Sequence, residues 1–204
     1  MIRLMRWIAE GTALSREALV DLDAPSLLPG WSRKHVAAHL ALNAAALGNL
    51  VHWARTGDAR PMYASTEQRN LDIEVGARRP AAELLTWFDE SARALAEAMA
   101  TLTEEQWQAR VLTAQGDEVP ATAIPWMRGR EVMIHAVDLG TGVTFADLPE
   151  DFLEELCTDI RTRRGDVPEL RGPLAEIAAY LAGRAYESVT TADGSPARPL
   201  PPWL

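Results

Sequence analysis

Apolar residues recur every three or four positions along most of the chain, which is the spacing of amphipathic helices. The pattern predicts long helices over residues 2–22, 32–55, 81–102 and 125–139. Ser32 suits the N-cap of the second helix, and Pro125 suits the first turn of the fourth. Residues 59–80 are irregular apart from a short helix near 66–75. Four long helices with one crossover favour an up-and-down four-helix bundle.

Smaller elements are predicted around and after these helices. The sequence predicts a capped helical turn over residues 103–107, and a hairpin of two strands over 110–113 and 118–121. Two further helices, over 149–163 and 173–184, precede a proline-rich, extended tail at 195–204. We therefore expect a mainly α chain, with a helical bundle at 1–145 and a short C-terminal α(+β) extension at 146–204.

Composition excludes several classes of partner. The net charge is −9 and no basic stripe is visible, which argues against a nucleic-acid-binding protein. No run approaches the ~18 consecutive apolar residues of a membrane span, and the N-terminal segment lacks the features of a signal peptide. We expect a cytoplasmic monomer or small homo-oligomer that acts on a small molecule.

Two residues on the fourth long helix are candidates for chemistry. Glu131 and His135 share a helical face because they are four residues apart. Ile134 and Leu139 flank them, so the carboxylate lies within the apolar arc. An unpaired buried carboxylate is costly, and a metal ion shared with His135 would neutralise it. An arginine partner, or a hydrogen bond to the histidine, is the alternative.

The second helix offers a further ligand. His39 lies at the edge of its apolar stripe, His35 lies one turn back toward solvent, and His52 faces the opposite side. His35 and His39 could chelate a metal together, or His39 could be a hydrogen-bonded histidine at the core edge. Helix bundles commonly build metal sites from facing helices. His39 with Glu131 and His135 would leave one position open, as in catalytic zinc sites, although ferrous iron accepts the same ligands.

Three segments resemble the mycothiol-dependent maleylpyruvate isomerase family, which belongs to the DinB-like metal-binding four-helix bundles. They are residues 28–40, LPGWSRKHVAAHL, followed by Asn43-Ala44; residues 69–77, RNLDIEVGA; and residues 126–140, WMRGREVMIHAVDLG. The matches occur in order and at family spacing over about residues 5–143. The resemblance implies a DinB-like fold and an enzyme that uses zinc and the thiol mycothiol.

The resemblance also implies roles for particular residues. His39, Glu131 and His135 match the zinc ligands, Arg69 matches an arginine implicated in the chemistry, and His35 lies outside the ligand set. Asp138, nearly one turn beyond His135, could orient a ligand or pair with an arginine.

The single cysteine, Cys157, lies on an amphipathic segment, and we expect it to be a small buried apolar residue. A reactive thiol would then come from outside the chain, as a low-molecular-weight cofactor. The first hypothesis is cis–trans isomerisation of an unsaturated diacid such as maleylpyruvate, by thiolate addition, bond rotation and elimination. The alternatives are a mycothiol S-transferase that stops after addition and a non-catalytic metal-binding bundle that binds a ligand or protein. The proline-rich tail could dock elsewhere, but we favour its packing back onto the bundle.

Overall fold

The computed structural model describes residues 1–203. They are mainly helical, which confirms the predicted fold class, and they form two compact units, Met1–Thr141 and a second that begins at Gly142. In the described part of the chain, no helix combines the length and the hydropathy that crossing a membrane requires.

The first unit contains six α-helices and one short hairpin. The helices are α1 (Ile2–Ala18), α2 (Arg33–Thr56), α3 (Thr66–Gly76), α4 (Ala81–Ala100), α5 (Glu104–Trp107) and α6 (Ile124–Asp138). The antiparallel strands are β1 (Arg110–Leu112) and β2 (Glu118–Pro120), and a 3₁₀ turn (Ala121–Ala123) leads into α6.

The helices α1, α2, α4 and α6 form the bundle. Both α1 and α2 pack against α4 and α6, so the order around the bundle is α1, α6, α2, α4. Helices α2 and α6 are antiparallel, since His39 meets Glu131 while Asn43, one turn further on, meets Arg128. A connection that contains α3 joins α2 to α4.

The apolar faces of these helices form a buried core. Its buried members include Leu47, Leu50, Leu95, Met99, Ile124 and Met127. Helix α2 begins after Ser32 as predicted, and ends at Gly57, whose φ of 77° is easily adopted only by glycine.

The first helix is shorter than the prediction of residues 2–22. It ends at Ala18, because Leu19 leaves helical geometry and Asp21 adopts a φ of 45°. Leu19 and Leu22 are nevertheless 3% and 4% exposed. Their apolar spacing therefore reflects burial in the turn and does not extend the helix.

Helices α1 and α6 approach each other closely. The Ser15 hydroxyl donates a 2.7 Å hydrogen bond to the carbonyl of Val132. At Gly11, an added Cβ would lie 2.6 Å from Val132 Cγ2 and 3.1 Å from the backbone nitrogen of Met133. A glycine is needed here because the stiff valine and the facing backbone leave no room for a methyl group.

Gly11→Ala is therefore expected to destabilise the protein by about 1–3 kcal/mol, as overpacking outweighs the better helix propensity of alanine. Urea unfolding measures the change. Gly48→Ala is the matched control, since its Cβ would meet no atom within 4 Å. That change should stabilise the protein by about 0.5–1 kcal/mol. Equal effects at the two positions would contradict the proposed close approach.

The second unit contains two helices and a small antiparallel pair of strands. Its elements are a 3₁₀ turn (Phe145–Asp147), α7 (Glu150–Arg164), β3 (Leu170–Arg171), α8 (Leu174–Leu181) and β4 (Thr190–Thr191). Helix α8 ends before the predicted residue 184, because Gly183 adopts a φ of 68°. The proline-rich tail packs back within this unit: Trp203 N–H donates to the Ala182 carbonyl at 3.1 Å, and Arg164 lies over the Trp203 ring.

Candidate metal centre

His39 on α2 faces Glu131 and His135 on α6. The Oε2 atom of Glu131 lies 2.8 Å from Nε2 of His39 and 3.3 Å from Nε2 of His135. One potential ligand atom from each residue lies within 4.8 Å of the other two. The histidine side chains are only 4% and 3% exposed. The structure thus brings together the three residues that the sequence predicted as ligands.

Asp138 fixes the orientation of His135. Its Oδ2 atom lies 2.8 Å from Nδ1 of His135, and its side chain is 1% exposed. An ionised carboxylate only accepts hydrogen bonds, so Nδ1 carries the hydrogen. In a neutral ring, the Nε2 lone pair then faces the Glu131 oxygen. Two acceptors at 3.3 Å repel each other unless a proton or a metal ion lies between them.

The pKa values of the three residues differ in the direction of their shifts. Burial lowers the pKa of His39 to about 4, although Glu131 opposes the shift. Burial also acts to lower the pKa of His135, but hydrogen bonds to Asp138 and Glu131 outweigh it and raise the pKa to about 9. Burial acts to raise the pKa of Glu131, but hydrogen bonds from His135 and His39 hold that pKa well below its usual value.

The donor set fits a divalent metal such as zinc. A tetrahedral zinc with bonds of about 2.1 Å has ligand atoms about 3.4 Å apart. The Glu131–His135 separation of 3.3 Å is close to this value, and the His39–Glu131 separation of 2.8 Å is shorter. Two imidazoles and a carboxylate suit this ion and leave one position open. Metal-binding histidines usually donate their second N–H to an acceptor, and Asp138 is that acceptor for His135.

Arg69 on α3 contacts the same cluster. Its Nη2 atom lies 3.3 Å from Nδ1 of His39, and its Nη1 donates to Oδ1 of Asn70 at 3.1 Å. A guanidinium only donates, so Nδ1 of His39 accepts and its Nε2–H is donated to Glu131. Arg69, which the sequence predicted to take part in the chemistry, therefore lies directly beside His39, one of the predicted ligands.

The other two α2 histidines lie outside the cluster, as predicted. Nδ1 of His35 accepts from Ser32 N–H at 3.1 Å, and its Nε2 lies 3.4 Å from Glu74. His52 lies 3.3 Å from Asp58. Both ring nitrogens of His35 and Nε2 of His52 therefore have other partners.

Several polar residues beside the cluster had no role assigned from the sequence. Arg128 donates from Nη1 to the Leu40 carbonyl at 2.8 Å and to Oδ1 of Asn43 at 2.9 Å. Burial raises the pKa of Tyr63, and the charge of Glu131 raises it further. Helical spacing indicates that two of these residues share a face with the predicted ligands, because Asn43 follows His39 by four residues and Arg128 precedes Glu131 by three.

Cys157 lies on α7 in the second unit and is buried. Burial raises the pKa of its thiol to about 11, so the reactive thiolate is scarce at neutral pH. This agrees with the interpretation of Cys157 as a packing residue.

Comparisons with known proteins match both the sequence and the fold. The sequence family described as the mycothiol maleylpyruvate isomerase N-terminal domain matches residues 6–140. A crystal structure of the mycothiol-dependent maleylpyruvate isomerase is 38% identical, with a TM-score of 0.91 over 98% of this chain and 96% of that chain. A second, of a histidine-to-alanine mutant, is 37% identical, with the same coverage and TM-score. No relative was found among curated proteins.

The family match covers more than half of the chain, and both crystal structures match it over nearly its full length. The chain therefore belongs to the mycothiol maleylpyruvate isomerase family.

Proposed function

We propose that this chain is a zinc-dependent enzyme that uses mycothiol to isomerise an unsaturated diacid of the maleylpyruvate type. The observation that carries the proposal is the cluster of His39, Glu131 and His135, with Asp138 behind His135. Such a three-ligand set leaves room for an exogenous ligand. The likeness to isomerases described as mycothiol-dependent supports the thiol and the reaction class.

When bound, a metal such as zinc would hold mycothiol as its thiolate, and this thiolate would supply reversible addition to the cis double bond: the former C=C bond becomes a single bond that can rotate, and breaking the C–S bond restores the double bond in the trans form. The chain's own residues hold and orient these groups. Glu131 contributes the negative charge that offsets the cation, and Asp138 keeps the lone pair of His135 Nε2 directed at the cluster. Cys157 does not supply the sulfur, since it is buried and has a raised pKa.

Arg69 is the residue we assign to the substrate. When Nε2 of His39 binds a metal, the ring hydrogen is on Nδ1, which then cannot accept from Arg69. The guanidinium is thereby released to bind a substrate carboxylate or the enolate that forms on addition. Arg69 is half-buried, so this movement needs no unfolding of the bundle.

The function is tested by incubating the zinc-loaded chain with maleylpyruvate, with and without mycothiol, and following ultraviolet absorbance. We expect thiol-dependent conversion to fumarylpyruvate at unchanged mass. A stable adduct of substrate and thiol in the mass spectrum indicates an S-transferase instead. A protein that takes up neither zinc, iron nor nickel on reconstitution indicates a non-catalytic bundle.

Arg69→Ala is expected to keep the full zinc content and lose turnover by about 100-fold or more, because a charge-assisted contact to the reacting acid is removed. Metal analysis and steady-state rates measure the two effects. Arg79→Ala, which removes an arginine lying over the Trp87 ring, is the matched control. Wild-type turnover in Arg69→Ala would refute this role and leave the metal site standing.

Zinc binding at pH 7 is expected to release about one proton. His39 is already neutral and Glu131 is ionised, whereas His135, with a pKa of about 9, must lose its proton to become a ligand. Calorimetry in buffers of different ionisation enthalpy counts the protons. The number should fall as the pH rises through about 9, and zero release at pH 7 would contradict ligation by His135.

A further inference from the structure

Arg128 is a buried cation that has no anionic partner within salt-bridge distance among residues 1–203. It is 1% exposed, and its two hydrogen bonds go to neutral acceptors, the Leu40 carbonyl and the Asn43 amide oxygen. Its second terminal nitrogen, Nη2, is buried and has no hydrogen-bond partner among residues 1–203. Burial lowers its pKa to about 10, so the guanidinium stays charged at neutral pH. An uncompensated buried charge with an unused donor favours a bound anion.

Arg128 lies about one helical turn from the candidate metal centre. On the antiparallel helices α2 and α6, the Asn43–Arg128 pair follows the His39–Glu131 pair by one turn, about 5 Å along the bundle. The acidic groups close enough to affect the pKa of Arg128 are Glu131 and Tyr63. The Tyr63 hydroxyl in turn interacts with Asn43.

The charges of this region also favour an anionic ligand. Arg69 and Arg128 contribute two positive charges, and Glu131 and Asp138 contribute two negative charges. With both histidines neutral as ligands, a divalent metal leaves a net charge of about +2. A bound thiolate and the carboxylates of an acid each reduce this positive charge. Arginine presents paired N–H donors that match the geometry of a carboxylate better than that of a sulfur atom.

We propose that Arg128 binds a carboxylate of the unsaturated acid through Nη2, one helical turn from the metal ligands, and so helps to select diacids as substrates. Arg128 has this role only if the proposed function holds, because the carboxylate is that of its substrate. Arg69 and Arg128 then provide one guanidinium for each carboxylate of a diacid.

The test measures the binding of maleate, a stable cis-unsaturated dicarboxylate, to the zinc-loaded full chain by calorimetry without any thiol. Arg128→Lys keeps the charge but has a single donor nitrogen in place of the guanidinium and so lacks Nη2, and maleate binding should weaken about tenfold or more. Arg33→Lys is the matched control, because Arg33 also joins separate segments through main-chain carbonyls, including that of Leu139 at 2.8 Å. Maleate affinity should be unchanged in that variant.

A second variant tests the same contact without removing the arginine. Asn43→Asp keeps the acceptor for Nη1 and gives Arg128 an internal carboxylate, which competes with a bound anion. Maleate binding should weaken about tenfold, while the melting temperature stays at or above that of the wild type. This result remains informative even if Arg128→Lys folds poorly.

Wild-type maleate affinity in a folded, zinc-loaded Arg128→Lys protein would overturn the proposal, as would wild-type affinity in Asn43→Asp. Weaker mycothiol binding with unchanged maleate binding would also overturn it, since Arg128 would then contact the thiol. The proposal is also overturned if the wild-type protein does not bind maleate. Because the titration contains no thiol and no turnover, failure of isomerisation is observed separately, in the absorbance assay.

Discussion

Replacement of His39 or His135 by alanine is expected to remove nearly all bound zinc and with it the thiol-dependent activity. Each change leaves two of three protein ligands, which is too few to retain catalytic zinc. It also leaves Glu131 buried without one of the two rings that it contacts at 2.8 and 3.3 Å. We expect zinc affinity to fall by more than about 100-fold. This fall is larger than the one expected when the replaced residue only hydrogen-bonds to a ligand. Metal analysis after dialysis and competition with a chromogenic chelator measure the loss.

His35→Ala is the control for this experiment. His35 lies on the same helix, one turn from His39, but its ring nitrogens contact Ser32 and Glu74. The His35→Ala variant should keep the zinc content of the wild type. Its stability should fall slightly, because contacts at the N-terminus of α2 are lost. If His35→Ala loses zinc as severely as His39→Ala, the ligand assignment on α2 is wrong. Glu131→Gln keeps the shape of the side chain but not its charge. Its zinc affinity should therefore lie between those of His35→Ala and His39→Ala.

Asp138→Asn is expected to lower zinc affinity by about 10–100-fold without removing a ligand. The carboxylate holds the hydrogen of His135 on Nδ1 and makes Nε2 a better donor to the metal. An amide gives a weaker acceptor and lets the ring adopt the other tautomer. The same change should lower the pKa of His135, which NMR titration of the metal-free protein measures.

Asp89→Asn is a suitable control, because Asp89 forms an exposed ion pair with Arg16 at 3.0 Å, on helices that supply no ligand. Surface pairs of this kind contribute little, so zinc affinity should not change. Equal zinc affinity in Asp138→Asn and the wild type would show that the hydrogen bond to His135 does not orient the ligand.

Helical periodicity predicted most of the bundle and the inward faces of its ligands. The apolar neighbours of Glu131 indicated that its carboxylate is buried, and its side chain is 13% exposed. Periodicity does not define the register between two helices, however. The meeting of His39 with Glu131 was therefore inferred from the family motifs and from the general behaviour of bundles, and only the structure supplies the distance.

The same limit explains what the sequence did not predict. A helical wheel places Arg128 on the face of Glu131, but it does not show that Asn43 and the Leu40 carbonyl lie opposite. The end of α1 was misplaced for a different reason, since apolar residues in a buried turn continue the helical spacing past Ala18. Local propensity is overridden at such points by tertiary packing.

The separation of the ligands along the chain has a consequence for biosynthesis. His39 and Glu131 are 92 residues apart. At about 5–20 residues per second, the ribosome adds Glu131 roughly 5–20 s after His39. Until α6 emerges, a nascent chain offers zinc a single ligand of the set, which is too few to retain it. If these residues bind zinc as proposed, the ion is therefore acquired only after α6 has been translated.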